Sequence, residues 1–127
     1  MFQIAVSARF RAAHQLPLPN DGLEPLHEHD WRVTVTFAGP GVDGRGVLLD
    51  FNDAQRRLHA VLAPLDGRNL NRPDVLEGCA QRSPSAEAVA AHIAGCLRRD
   101  LPVGVRLHCV EVEEAPGCVA RYLPEHQ

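Results

Sequence analysis

No apolar stretch in this sequence approaches the roughly 20 residues that span a bilayer as a helix. The first residues alternate apolar and polar side chains where a secretory signal would carry an unbroken apolar block, so a soluble, cytoplasmic protein is expected. Basic patches are missing too. The formal net charge is −3 and the arginines are dispersed, which leaves no cationic stripe of the kind nucleic-acid binding needs. Cys79, Cys96, Cys109 and Cys118 include no C-x-x-C pair, and without a secretory signal an even count does not imply disulfides; reduced thiols are the default. There is no internal repeat and no low-complexity linker. At 127 residues and 45% hydrophobic content, the chain is long enough for one domain with a core and too short for two.

Histidine is present in a telling arrangement. Phe2, Ile4, Val6, Ala8 and Phe10 recur with the two-residue period of a strand with one buried face, and His14 continues their parity. Trp31, Val33, Val35 and Phe37 form one face of a second strand, and His27 and His29 lie on that face because side chains two apart point the same way. All three imidazoles therefore project inward. Catalytic zinc typically takes three protein ligands, at about 2.0–2.1 Å for histidine nitrogen, and keeps a fourth position open for water or substrate. Spacing alone also allows His27 and His29 to decorate a Pro-rich surface loop and His14 to be a satisfied polar residue at a strand end. His59, His92, His108 and His126 show no comparable grouping.

Further along, Gly39-Pro40-Gly41 and Asp43-Gly44 mark a turn, and Gly46 to Leu49 reads as a strand returning to close a hairpin. A helix follows, with Asp50, Asn52 or Asp53 available as N-cap and Ala54, Leu58, Val61, Leu62 and Leu65 at helical spacing; it ends near Pro64 to Gly67. Gly67 to Arg82 reads as a loop whose length suggests function. Ser83-Pro84 supplies an N-cap and a first helical proline, with Glu87 in the first turn, Arg98 and Arg99 in the last, and Ala86, Val89, Ala90, Ile93 and Leu97 as the buried stripe. After Pro102, Val103, Val105, Leu107 and Cys109 alternate before the apolar parity shifts to Val110 and Val112, the signature of a β-bulge. Glu114 shares the Val110 and Val112 face, and Val119 to Leu123 reads as the last strand. Strand pair, helix, helix, strand pair predicts an α+β fold: a four-stranded antiparallel sheet with two helices on one face, its open edges suited to oligomerisation.

These residues also carry a family resemblance over nearly the whole chain. Phe10-Arg11-Ala12-Ala13-His14 resembles the F-x-A-A-H of the 6-pyruvoyl- and 6-carboxytetrahydropterin synthases, and Leu26-His27-Glu28-His29 resembles their L-H-G-H. Leu49-Asp50-Phe51 is similar to their L/V-D-F, Leu65-Asp66 through Leu70-Asn71 to L-D-H-x-x-L-N, Ser83-Pro84-Ser85-Ala86-Glu87 to N-P-T-S-E, and Val112-Glu113-Glu114, with Tyr122, to the terminal V-x-E-T segment. The resemblance implies a tunnelling fold over residues 1–127 as a single pterin-synthase-like domain whose sheet oligomerises into a barrel. It also implies zinc held by His14, His27 and His29, a homo-oligomer that is commonly a hexamer of two trimers, and a pterin pocket between subunits. Glu114 would then anchor the pterin, since a carboxylate can accept two parallel hydrogen bonds from the ring's amino-imide edge, and Ser85 would line the pocket. Read without the family, Glu114 is a solvated carboxylate and Ser85 a first-turn helix residue.

The family pattern is broken at two places. The position of its catalytic cysteine is Leu23, which cannot transfer a proton, and the catalytic histidine of L-D-H is Gly67, leaving Asp66 alone of that pair. Glu28 replaces the glycine between the two ligands, adding bulk and charge on the opposite face. In compensation, Glu24 gives Glu-Pro-Leu-His-Glu-His, similar to the E-x-x-H-G-H subgroup in which glutamate stands in for cysteine and the product resembles 6-hydroxymethyl-dihydropterin. The first reading is a zinc enzyme of the 6-carboxytetrahydropterin synthase type acting on the side chain of 7,8-dihydroneopterin triphosphate or a related dihydropterin, with Glu24 and Asp66 as catalytic candidates. The alternatives are a catalytically impaired homologue that binds zinc and a pterin, and a histidine-zinc structural domain serving a partner protein. The pathway, queuosine, folate or another, stays open.

Overall fold

Two long alternating segments make the centre of the sheet in the computed structural model, which describes residues 1–76 and 83–124: β1 (Phe2–His14) and β2 (His27–Gly39). They pair antiparallel in unbroken register from Phe2↔Gly39 to His14↔His27. Even positions of β1 and odd positions of β2 share one face, and Val6, Phe10, Ala12, Trp31, Val33, Val35 and Phe37 are buried on it. The chain continues through α1 (Phe51–Leu62), β3 (Arg68–Asn69), α2 (Ala86–Leu97), β4 (Arg106–Ala115) and β5 (Cys118–Tyr122), and the sheet order is β3-β1-β2-β4-β5. β3 runs parallel to β1, and the other pairs are antiparallel. α1 packs on β1 while α2 packs on β4 and β5, so both helices cover the apolar face. The other face is charged, with Arg9–Asp30 at 3.3 Å, Arg11–Glu28 at 2.6 Å and Arg121–Glu111 at 2.7 Å.

This is the expected α+β arrangement with several local corrections. The sheet has five strands, not four, because Arg68 and Asn69 add to the β1 edge beside Ala12 and Ala13. A two-residue polar strand carries no alternation that a sequence could display. Gly46 to Leu49 forms no strand and no hairpin. Both edges of β2 are already taken by β1 and β4, and Asp43 folds the segment into a turn by accepting from the backbone N–H groups of Arg45 and Val47. Asp50 is the N-cap of α1, accepting from Asn52 N at 2.7 Å, and the helix stops at Leu62, slightly before Pro64.

The cap of α2 is Ser85 and not Ser83; its Oγ accepts from Ala88 N at 3.1 Å, and Pro84 lies outside the helix. Arg98 is the C-cap, which leaves no basic residue within the last turn. β4 begins at Arg106, and Val103 is fully exposed in the preceding turn. The bulge is present: Thr36 pairs with Cys109 and Phe37 with Leu107, so His108 is the extra residue that lets Leu107, Val110 and Val112 face one way. Cys109 and Cys118 are free thiols, Cys96 Sγ lies 3.8 Å from His92 Nε2, and Cys79, Arg82 and His126 lie outside the described residues.

Candidate metal centre

At the end of the β1–β2 ribbon the apolar stripe gives way to histidine. His14 is paired with His27 and Ala12 with His29, so strand alternation brings the three rings together on the core side. Their centroids lie 4.7 Å (His14–His27), 5.2 Å (His14–His29) and 4.6 Å (His27–His29) apart. One nitrogen from each falls within 4.8 Å of the other two, and among the described residues this is the group of His, Cys, Asp and Glu side chains able to hold a metal ion. Trp31 floors the site, edge-on to His14 at 5.0 Å and to His29 at 5.7 Å, with its indole N–H donated to Ala12 O.

Two backbone carbonyls set the tautomers. His14 Nδ1 lies 2.8 Å from Pro84 O, and His27 Nδ1 lies 2.8 Å from Pro25 O. A carbonyl only accepts, so each Nδ1 carries a proton, and in the neutral ring each Nε2 presents a lone pair. His14 Nε2 and His29 Nε2 are buried without a hydrogen-bond partner. A buried polar atom left unpaired costs about 1–3 kcal/mol, and a metal ion is a partner that converging imidazole lone pairs suit. Burial pushes the His29 imidazolium below the ordinary histidine range, and the neighbouring rings of His14 and His27 add to this while Glu114 and Glu24 oppose it. His29 is thereby kept in the neutral form that ligates.

Two carboxylates reach the same place. Glu114 sits at a second irregularity, where Glu113 pairs with Val119 but Ala115 with Cys118, and its Oε1 lies 3.1 Å from His14 Nε2. The angles there are not those of a hydrogen bond, since that nitrogen remains unpartnered. Glu24 is drawn in by the loop joining β1 to β2: its N–H donates to Leu16 O, its Oε1 accepts from Leu16 N at 2.9 Å, and that oxygen stands 3.7 Å from His27 Nε2.

The remaining candidates have other partners. Asp66 Oδ1 accepts from the Arg11 backbone N–H at 2.9 Å, and Ser85 Oγ caps α2. Leu23 is exposed and bridges to Pro17, and Gly67 adopts a φ of +75°, a left-handed conformation that glycine enters without strain. Glu28 points to the charged outer face, bound to Arg11. The Cys109 thiol is raised by burial, which disfavours the thiolate. Sequence reasoning missed the Pro25 and Pro84 carbonyls and the Trp31 floor; backbone acceptors have no residue-type signature, whereas Trp31 was visible as the next inward residue after His29.

The family model for 6-pyruvoyl tetrahydropterin synthase matches residues 3–125. A 6-carboxy-5,6,7,8-tetrahydropterin synthase from a Synechocystis strain is 34% identical over 117 residues, covering 89% of this chain and 86% of that protein. Caenorhabditis elegans 6-pyruvoyl tetrahydropterin synthase has a similar fold, with a TM-score of 0.79 at 23% identity over 98% of this chain and 96% of the other. So does a form of the Plasmodium vivax enzyme whose catalytic glutamate is replaced by alanine, with a TM-score of 0.75 at 19% identity over 95% and 96% of the two chains. The match over residues 3–125 and the 34% identity place this chain in the 6-pyruvoyl tetrahydropterin synthase family.

Proposed function

We propose that the chain is a zinc-dependent enzyme of the 6-carboxytetrahydropterin synthase type, acting on the side chain of 7,8-dihydroneopterin triphosphate or a close dihydropterin. The observation that carries this reading is the pair of buried, unpartnered Nε2 atoms on His14 and His29 beside His27. Zinc bound there would supply Lewis acidity toward side-chain hydroxyls, lowering their pKa. Glu24 is the base: its Oε1 is held at the rim by Leu16 N and can take a proton from a carbon or hydroxyl next to the three histidines. A catalytic glutamate in the Plasmodium vivax enzyme supports a carboxylate in that role on this fold. Glu114 holds the ring through its amino-imide edge, with Ser85 near the pocket wall.

The reading extends to a cytoplasmic, single-domain protein assembled as a homo-oligomer, a hexamer of two trimers. From Phe2 to Phe10 the outer edge of β1 pairs with no other strand among the described residues, and Phe2 and Phe51 are exposed near it. Leu23 and Gly67 also favour a second reading, a homologue that binds zinc and a pterin without turning it over, because neither can move a proton. Wild-type turnover separates the two, and the variant Glu24→Gln tests the base. The first reading expects wild-type turnover of a dihydropterin, one zinc per chain, and a fall of about 10²–10⁴-fold on Glu24→Gln with zinc content unchanged. Retention of a pterin with no wild-type turnover establishes the second reading, and brisk turnover surviving Glu24→Gln removes Glu24 from the role.

A further inference from the structure

The segment from Asp66 to Asn71 grips the end of β1 on both sides of His14. Asp66 Oδ1 accepts from Arg11 N–H at 2.9 Å, Gly67 N–H donates to Arg11 O at 2.7 Å, and Leu70 N–H donates to Ala13 O at 2.8 Å. Beyond the histidine, Asn71 Oδ1 accepts from Gln15 N–H at 2.8 Å while its Nδ2 donates to Gln15 O at 3.0 Å. β2 occupies the opposite edge of the same residues through Arg11↔Asp30, Ala13↔Glu28 and His14↔His27. The strand end that carries His14 is therefore fixed from both edges, even though β1 is about to leave the sheet. Ribbon ends ordinarily fray, and a metal ligand held on a fraying end would be imprecise. The Asp66 carboxylate spends an oxygen on a backbone amide, where an uncharged amide oxygen would serve as well.

We propose that Asp66 and Asn71 are positioning residues for the metal centre, holding β1 so that His14 Nε2 stays convergent with His27 and His29, and that Asp66 carries no proton in the reaction. This rests on the metal reading of the site given above. Partners outside the ligand shell typically influence metal affinity by about 10–100-fold.

The test uses the full chain loaded with Co²⁺, reading both the rate of metal transfer to a chelator and the visible ligand-field spectrum. Asp66→Asn keeps the acceptor oxygen and should leave transfer, spectrum and any wild-type turnover within about threefold, whereas Asp66→Ala and Asn71→Ala should speed transfer by about 10–100-fold and alter the spectrum. If Asp66→Asn abolishes turnover with transfer and spectrum intact, Asp66 is a proton carrier and the proposal is overturned. Folded Asp66→Ala with wild-type transfer and spectrum also overturns it. Should Asp66→Ala fail to fold, Asn71→Ala decides by the same readouts. A wild-type chain that takes up no Co²⁺ overturns the metal reading itself and this role with it.

Discussion

Phe10 and His14 stand on the same face of β1, two residues to either side of Ala12, and both lie against Trp31. Phe10 stacks on the indole at 5.8 Å with the rings 8° apart, closing a dry apolar core. His14 meets the indole edge-on at 5.0 Å and is equally buried, yet its Nε2 has no hydrogen-bond partner. Alternation decides which way a side chain points, and it does so identically in both regions. What differs is satisfaction: the apolar half is complete within the chain, whereas the histidine half keeps buried nitrogens unpaired at a cost of about 1–3 kcal/mol each until a ligand arrives. The apolar half needs nothing further, and the histidine half is where the proposed metal would bind.

Removing Trp31 breaks this division, because that ring belongs to both halves. Trp31→Ala should lower the unfolding free energy by about 3–5 kcal/mol in denaturant titration and, in whatever protein remains folded, reduce metal content. A metal loss with no loss of stability would show that the indole serves only the histidines. Glu114→Ala acts on the histidine half alone. It should weaken dihydropterin binding by about 100-fold in direct titration while the unfolding midpoint stays near wild type. Affinity within a few-fold of wild type would move the ring anchor elsewhere. Ser85→Ala tests the wall between the halves, since Ser85 caps α2 while the adjacent Pro84 carbonyl orients His14. The cap alone accounts for a loss of about 1 kcal/mol in denaturant unfolding. A drop in metal retention beyond that would show that the cap also holds Pro84 in place.

Much of this was legible without coordinates, for identifiable reasons. The parity of Phe2 to His14 and of His27 to Phe37 is a property of the strand backbone, so the meeting of the three histidines followed once the two runs paired. The stripes of Ala54, Leu58 and Leu62 and of Val89, Ala90, Ile93 and Leu97 announced the helices, and the parity break at Cys109 announced the bulge. Gly46 to Leu49 misled because a hairpin return needs an edge of β2, and β1 and β4 already occupy both. Ser83 misled because Ser83 and Ser85 are both good caps, and the choice between them depends on Pro84 facing His14 across the chain.

By itself, the sequence determined the inward face of the ribbon, the order and type of the main elements, the family, and the presence of three histidines on one side. Those are consequences of short-range periodicity and residue chemistry. Tertiary structure alone decided that Glu114 comes within 3.1 Å of His14, that the Pro84 carbonyl meets His14 Nδ1, and that Asp66 reaches an amide of β1, whereas Glu24 and the Pro25 carbonyl reach His27 through the local loop. Glu114 is separated from His14 by most of the chain, and a backbone carbonyl is the same group in every residue. No local pattern encodes the contacts of Glu114, Pro84 and Asp66; they exist because the paired strands and packed loops bring distant parts of the chain together.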